Sequence, residues 1–225
     1  MHKQECVIVF VRSPEKGTVK TRLAAVLDED TVLELYRCFV LDLLETLSHT
    51  ALDLRICFYP QGGKSKLVKW LGGKYVYTAQ QGRDLGERLE NAFTAAFADR
   101  YVRAVIIGSD SPDLPAEIVK EAVSSLSTKD AVVGPANDGG YYLIGFSASQ
   151  FHREILKGID WGTAAVFEQT MHLLHKHGCN SLVLPRWRDI DTYEDAVAFM
   201  NKHELTPARS LLTLDYLRAC GGQPG

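Results

Sequence analysis

Apolar residues in this chain fall into short dense runs, and longer stretches between the runs space them at helical intervals. Residues 6–11, 52–59, 104–108, 131–134 and 141–145 are brief apolar runs bounded by glycine, proline or charged residues, and they predict strands. Residues 31–47 place Val32, Leu35, Tyr36, Phe39, Val40, Leu43, Leu44 and Leu47 on one helical face, with Asp28 or Asp30 positioned to cap its start. Residues 85–97, 116–126, 164–177 and 193–203 predict further helices. The Gly62-Gly63 and Gly72-Gly73 pairs predict turns. Strands alternating with helices of this length imply an α/β fold with a mostly parallel central sheet flanked by helices.

With 225 residues, 46% of them hydrophobic, the chain can bury a large core. No repeat, low-complexity tract or Pro/Ser-rich linker divides it, so a single domain over residues 1–225 is expected, with a peripheral tail from about residue 206. A net charge of −3 supplies no general attraction to nucleic acid or anionic membranes. The apolar run near the N-terminus is too short for a signal peptide or a membrane span, so a cytoplasmic protein with no membrane insertion is expected. Five scattered cysteines without CxxC spacing argue against a disulfide framework or a structural zinc.

Parallel α/β sheets bind ligands beyond the carboxyl ends of their strands, so the residues just after each apolar run are where chemistry is expected. Residues 12–23 hold four cations (Arg12, Lys16, Lys20, Arg22) and one acid in a loop entering a helix, suited to polyphosphate or, equally, to a solvated basic turn. Residues 108–115 end a strand in Ser109, Asp110 and Asp113; hard oxygen there suits Mg²⁺ or Mn²⁺. Metal falls to Asp110, and a helix cap near Pro115 falls to Asp113. Residues 134–145 read as a hairpin whose Asn137-Asp138-Gly139-Gly140 turn lets backbone approach a ligand, with Asp138 available to an acceptor hydroxyl. Residues 187–195 carry Asp189 and Asp191; Asp191 suits a second metal oxygen, and Thr192 with Asp195 suits a helix cap.

Other motifs do not complete. Gly63-Lys64-Ser65 resembles the end of a P-loop, but position 58 is Phe58 where that motif needs glycine. The first strand leads into Arg12-Ser13-Pro14 rather than GxGxxG. Asp189-Ile190-Asp191-Thr192 matches the phosphatase DxDxT but lies far from the first strand. His172, His175 and His177 suit the solvated end of a helix better than a metal site.

Six strings in order, 14–23 (PEKGTVKTRL), 82–89 (GRDLGERL), 108–114 (GSDSPDL), 134–145 (GPANDGGYYLIG), 159–163 (IDWGT) and 189–195 (DIDTYED), span nearly the whole chain. Together they resemble the nucleotide-diphospho-sugar transferase superfamily with its GT-A fold. More closely, the chain is similar to the bacterial radical-SAM/selenodomain-associated transferase 1 family, which is glycosyltransferase-like. The resemblance implies Asp110 and Asp191 as ligands of Mg²⁺ or Mn²⁺, and Lys20, Arg22 and Asp110 as the catalytic set. It implies donor-phosphate contacts from Arg12, Lys16, Gly17, Lys20, Arg22, Arg83 and Ser109, and an acceptor side built from Asp138, Gly139, Gly140, Trp161 and Thr163. Asp110 stands in DSPD rather than a plain DxD, a departure from the family pattern. The implied activity is metal-dependent sugar transfer from a nucleotide-diphospho-sugar to a small acceptor. Alternatives are nucleotidyl transfer from a nucleoside triphosphate to a phosphorylated small molecule, and a non-catalytic nucleotide-binding regulator; a homo-oligomer is compatible with each.

Overall fold

The computed structural model describes residues 3–205 and 210–220. In chain order it runs β1 (Lys3–Arg12), α1 (Glu29–Ser48), β2 (Asp53–Tyr59), α2 (Lys64–Leu71), β3 (Val76–Ala79), α3 (Leu85–Ala98), β4 (Tyr101–Gly108) and α4 (Ala116–Ser125). It continues with β5 (Ala131–Pro135), β6 (Tyr141–Ser147), α5 (Val166–Lys176), β7 (Ser181–Val183), α6 (Tyr193–Leu205) and α7 (Leu212–Cys220). The strands form one seven-stranded sheet ordered β3-β2-β1-β4-β6-β5-β7. Every pairing is parallel except those of β6, which runs against both β4 and β5. The mostly parallel α/β sheet expected from the run pattern is therefore present, and the expected hairpin is β5–β6, where Ala136 N donates to Gly140 O at 3.0 Å.

Strand alternation divides the core in two. Val7, Val9, Val11, Ile56, Phe58, Val105 and Ile107 point to the face packed by α1, α4, α6 and α7. Cys6, Ile8, Cys57, Ala104, Ile106 and Phe146 point to the other face, against Leu89 and Phe93 of α3 and Leu174 of α5. All eight apolar positions that predict the first long helix are buried in α1. Asp28 caps that helix, accepting from Asp30 N and Thr31 N at 3.1 and 3.0 Å.

The run pattern misses β3, α2, the three-residue strand β7 and α7. The first is a four-residue edge strand with no buried residue, and α2 buries only Leu67 and Leu71, so neither carries a full period of apolar positions. The tail expected to be peripheral is not so over residues 210–220. Leu211, Leu214 and Leu217 are buried in the core that includes α1, and the buried Asp42 carboxylate accepts from Leu212 N and Thr213 N, both at 2.8 Å. The rest of that tail, 206–209 and 221–225, lies outside the described residues. Among the described residues no helix is long and apolar enough to cross a membrane.

Candidate active site

The parallel strands β1, β2 and β4 end side by side, with Arg12 opposite Tyr59 and Phe10 opposite Gly108 in the ladders. A cavity of about 480 Å³ opens at this edge. Its apolar wall includes Phe10, Leu85, Leu89, Ile106 and Ile144, and its polar wall includes Arg12, Lys20, Arg22, Arg88, Ser109, Asp110 and Asp191. Ligand sites at this edge follow from the fold, because the loops that leave the strands converge there.

Asp110 and Asp191 are 81 residues apart in sequence yet adjacent in space. Ile190 N donates to Asp110 O at 2.9 Å, which joins the loop after β4 to the loop before α6. The same loop is fixed at its other end by a reciprocal cap: Thr192 N donates to Asp195 Oδ2 at 3.0 Å, and Asp195 N donates to Thr192 Oγ1 at 3.2 Å. Lys20 Nζ reaches both carboxylates, 2.8 Å from Asp110 Oδ1 and 2.5 Å from Asp191 Oδ1. The Lys20 side chain is only 5% exposed, and its backbone is left-handed at φ 48. Burial alone would lower the pKa of its ammonium, but the Asp110 and Asp191 carboxylates outweigh that and hold it above the ordinary value.

A second group of carboxylates adjoins the first. One oxygen from each of Asp138, Asp189 and Asp191 lies within 4.8 Å of the others. Burial pushes the half-buried Asp189 up to about 6, and the charges of Asp138, Asp191 and Asp110 push it the same way. Asp138, expected on the acceptor side, thus belongs spatially with the carboxylates. Its Oδ1 also accepts from Gly140 N at 2.8 Å, which shapes the hairpin turn.

The basic loop divides. Arg12, Lys20 and Arg22 line the cavity, whereas Lys16 turns outward to Asp30 at 2.6 Å and Gly17 at φ 70 shapes the turn without lining the cavity. Arg83, expected on the phosphates, is 90% exposed and pairs with Glu87 on the outer side of α3. The cavity-facing arginine of that segment is Arg88, one helical turn further on. Its guanidinium lies 4.3 Å over the Tyr59 ring, and its Nε donates to Gly82 O at 3.3 Å. Ser109 is buried at the cavity edge, its Oγ 3.4 Å from Tyr36 Oη, which in turn accepts from Arg12 N at 2.8 Å.

The remaining acceptor residues separate from the cavity. Trp161 stands edge-on to Tyr141 with ring centroids 6.3 Å apart, and it lines a different cavity, of about 540 Å³, together with Arg83. Thr163 Oγ1 donates to Asp160 O at 2.8 Å within its own turn. Gly139, at φ 90, leaves room for Ala164 O, which a Cβ would meet at 2.2 Å. These positions pack the hairpin and the segment before α5; the spacing of the motifs carried no sign of that. Asp113 does not cap α4, whose N-terminus has no side-chain cap. Instead Asp113 accepts from Trp187 Nε1 at 2.9 Å and Lys202 Nζ at 2.6 Å, tying its turn to α6.

Sequence order, sheet and cavity together define an α/β protein with the fold of the nucleotide-diphospho-sugar transferases. A crystal structure of a Desulfovibrio desulfuricans G20 protein assigned to those transferases superposes with a TM-score of 0.94 at 41% identity, covering 99% of this chain and 96% of that one. The chain belongs to the family described as "Uncharacterized protein conserved in bacteria (DUF2064)", whose profile matches residues 42–163. The same fold recurs at lower identity. A 4-diphosphocytidyl-2C-methyl-D-erythritol synthase from Anaerococcus prevotii has a TM-score of 0.60 at 12% identity, covering 90% of this chain and 99% of its own. A cytidylyltransferase from Leptospira borgpetersenii has a TM-score of 0.55 at 15% identity, covering 99% and 96%. No curated protein matches the chain.

Proposed function

We propose that this protein is a metal-dependent transferase that takes a nucleotide-activated donor into the cavity at the carboxyl edge of β1 and β4. The observation that carries this reading is the charge arrangement. Arg12, Arg22 and Arg88 line the cavity, and none has a carboxylate partner among the described residues, although the chain holds 28 acidic side chains. Guanidinium groups left without counter-charge around one concavity suit a polyanion, and they read phosphate oxygens in pairs. The apolar wall suits the nucleoside.

The carboxylates fit a divalent ion by their chemistry, since Asp110, Asp138, Asp189 and Asp191 offer only hard oxygen. When bound, Mg²⁺ or Mn²⁺ supplies charge to phosphate oxygens and to the departing group. In sugar transfer, the acceptor oxygen bonds the anomeric carbon as the bond from that carbon to the terminal phosphate oxygen breaks, the hydroxyl's proton is released to solvent, and Arg12, Arg22 and Arg88 stabilise the negative charge on the leaving nucleoside diphosphate. Sugar transfer is our first reading, and the 41% identity to a protein described as a nucleotide-diphospho-sugar transferase supports it. Nucleotidyl transfer is the second reading. Four cations around one cavity suit the larger charge of a triphosphate and its pyrophosphate product.

Thermal shift with nucleoside triphosphates, nucleoside diphosphates and nucleotide sugars, each with and without Mn²⁺, tests the proposal. A ligand that binds the folded state raises Tm as its concentration passes Kd. Stabilisation by a nucleotide sugar plus metal, followed by release of nucleoside diphosphate with an acceptor, is expected; release of pyrophosphate selects the second reading. A panel in which no nucleotide raises Tm refutes both.

A further inference from the structure

We propose that Lys20 is the resident cation of the Asp110–Asp191 pair, so that the site accepts a divalent ion only as a nucleotide's phosphates draw the ammonium away. This rests on the donor reading above for the identity of the polyanion, but not for the role of Lys20 toward metal.

The ammonium sits 2.8 Å from Asp110 Oδ1 and 2.5 Å from Asp191 Oδ1, one oxygen of each carboxylate assigned to the ion. Both cations cannot hold those oxygens at full strength, because an ammonium and a divalent ion repel at such separations and Lys20 is shielded from water. The contact is built rather than incidental. The Lys20 side chain is buried while Asp110 and Asp191 stay 43% and 36% exposed to the cavity. Its left-handed backbone is held by Ala24 N, which donates to Lys20 O at 3.1 Å. Its ammonium also lies over the Phe39 ring, with Nζ 5.7 Å from the ring centre.

An arriving phosphate changes the balance. Its oxygens compete with the carboxylates for the ammonium, and each carboxylate released from Lys20 becomes a ligand without a cation. Asp138 and Asp189 add two further carboxyl groups on the Asp191 side, with no lysine or arginine paired to either among the described residues. Nucleotide and metal should therefore each tighten the other, by the same factor, with Lys20 as the element that couples them. A lysine that only braces the fold would leave just the coupling that direct attraction between metal and phosphate supplies, equal in wild type and in a variant without the charge.

The test uses Mn²⁺ alone, titrated into the full chain and followed by loss of the free-ion magnetic resonance signal. Lys20→Met keeps the length and removes the charge. It should bind Mn²⁺ at least about tenfold more tightly than wild type in the absence of nucleotide. Lys20→Arg, which keeps the charge, should stay near wild type. Adding a nucleoside diphosphate should tighten Mn²⁺ on wild type by a clearly larger factor than on Lys20→Met. If Lys20→Met fails to fold by circular dichroism, Lys20→Gln serves for the same comparison. Mn²⁺ affinity in the uncharged variant equal to or below that of wild type overturns the proposal, and so does a lack of Mn²⁺ binding by either protein. A wild type that binds neither nucleoside diphosphate nor nucleoside triphosphate overturns the donor reading instead, and the comparison with Mn²⁺ alone still decides the role of Lys20.

Discussion

Two arginines five residues apart show how much a single position decides. Arg83 is held by Glu87 at the surface, and Arg88 turns into the cavity over Tyr59. Arg88→Ala should therefore weaken donor binding by roughly 10 to 100-fold, the range for losing one charge-assisted phosphate contact, while Arg83→Ala leaves it within about twofold. Isothermal titration with the best nucleotide from the thermal-shift panel separates the two, and equal losses in both variants would falsify the assignment of Arg88 to the donor. Asp189 makes a second prediction through pH. Its carboxyl is raised in the folded protein from 3.8 to about 6, so the stability linked to its neutral form is fully present below about pH 4 and is lost as pH rises through 6. Without divalent ion, Asp189→Asn should raise Tm near pH 7.5, and the gain should shrink toward zero near pH 4. A gain that stays constant across that range contradicts the burial and charge argument.

At the scale of elements, α3 depends on one small residue. A Cβ at Gly86 would lie 2.3 Å from Leu156 O and 2.7 Å from Trp161 Nε1, and neither backbone nor the packed indole can yield cheaply. Gly86→Ala should cost about 1–3 kcal/mol even though alanine is the better helix former. Because α3 carries both Arg88 and Leu89 into the cavity, the same change should weaken nucleotide binding at temperatures where the fold persists. Urea unfolding alongside nucleotide titration checks this, and wild-type values in both would show that the contact relaxes freely. The elements hidden from the apolar pattern share a cause. β3 is a short edge strand, α2 turns only two leucines inward, and α7 is recognisable mainly through Asp42, a carboxylate 170 residues away from the amide it caps.

Across the whole molecule, the chain's own order of apolar runs and helical spacings determined the class of fold: an α/β sheet, mostly parallel, with one hairpin. Those are local periodicities, and they are set by which side chains must leave water at each strand and helix face. The rule that chemistry follows the strand ends also made Arg12, Lys20, Arg22, Ser109 and Asp110 legible, because each ends or follows an apolar run, and Asp191 was legible from its carboxylate-bearing loop before a predicted helix. Arg88, Tyr59, Gln80 and Tyr36 were not legible, since a helix face and a strand end look the same whether they border solvent or a cavity. Only the tertiary structure decided that Lys20 occupies the Asp110–Asp191 pair, that Asp138 joins Asp189 and Asp191, and that Trp161 belongs to a different cavity. Charges placed tens of residues apart interact through distance, which the packing of the sheet and its loops sets and the spacing along the chain does not.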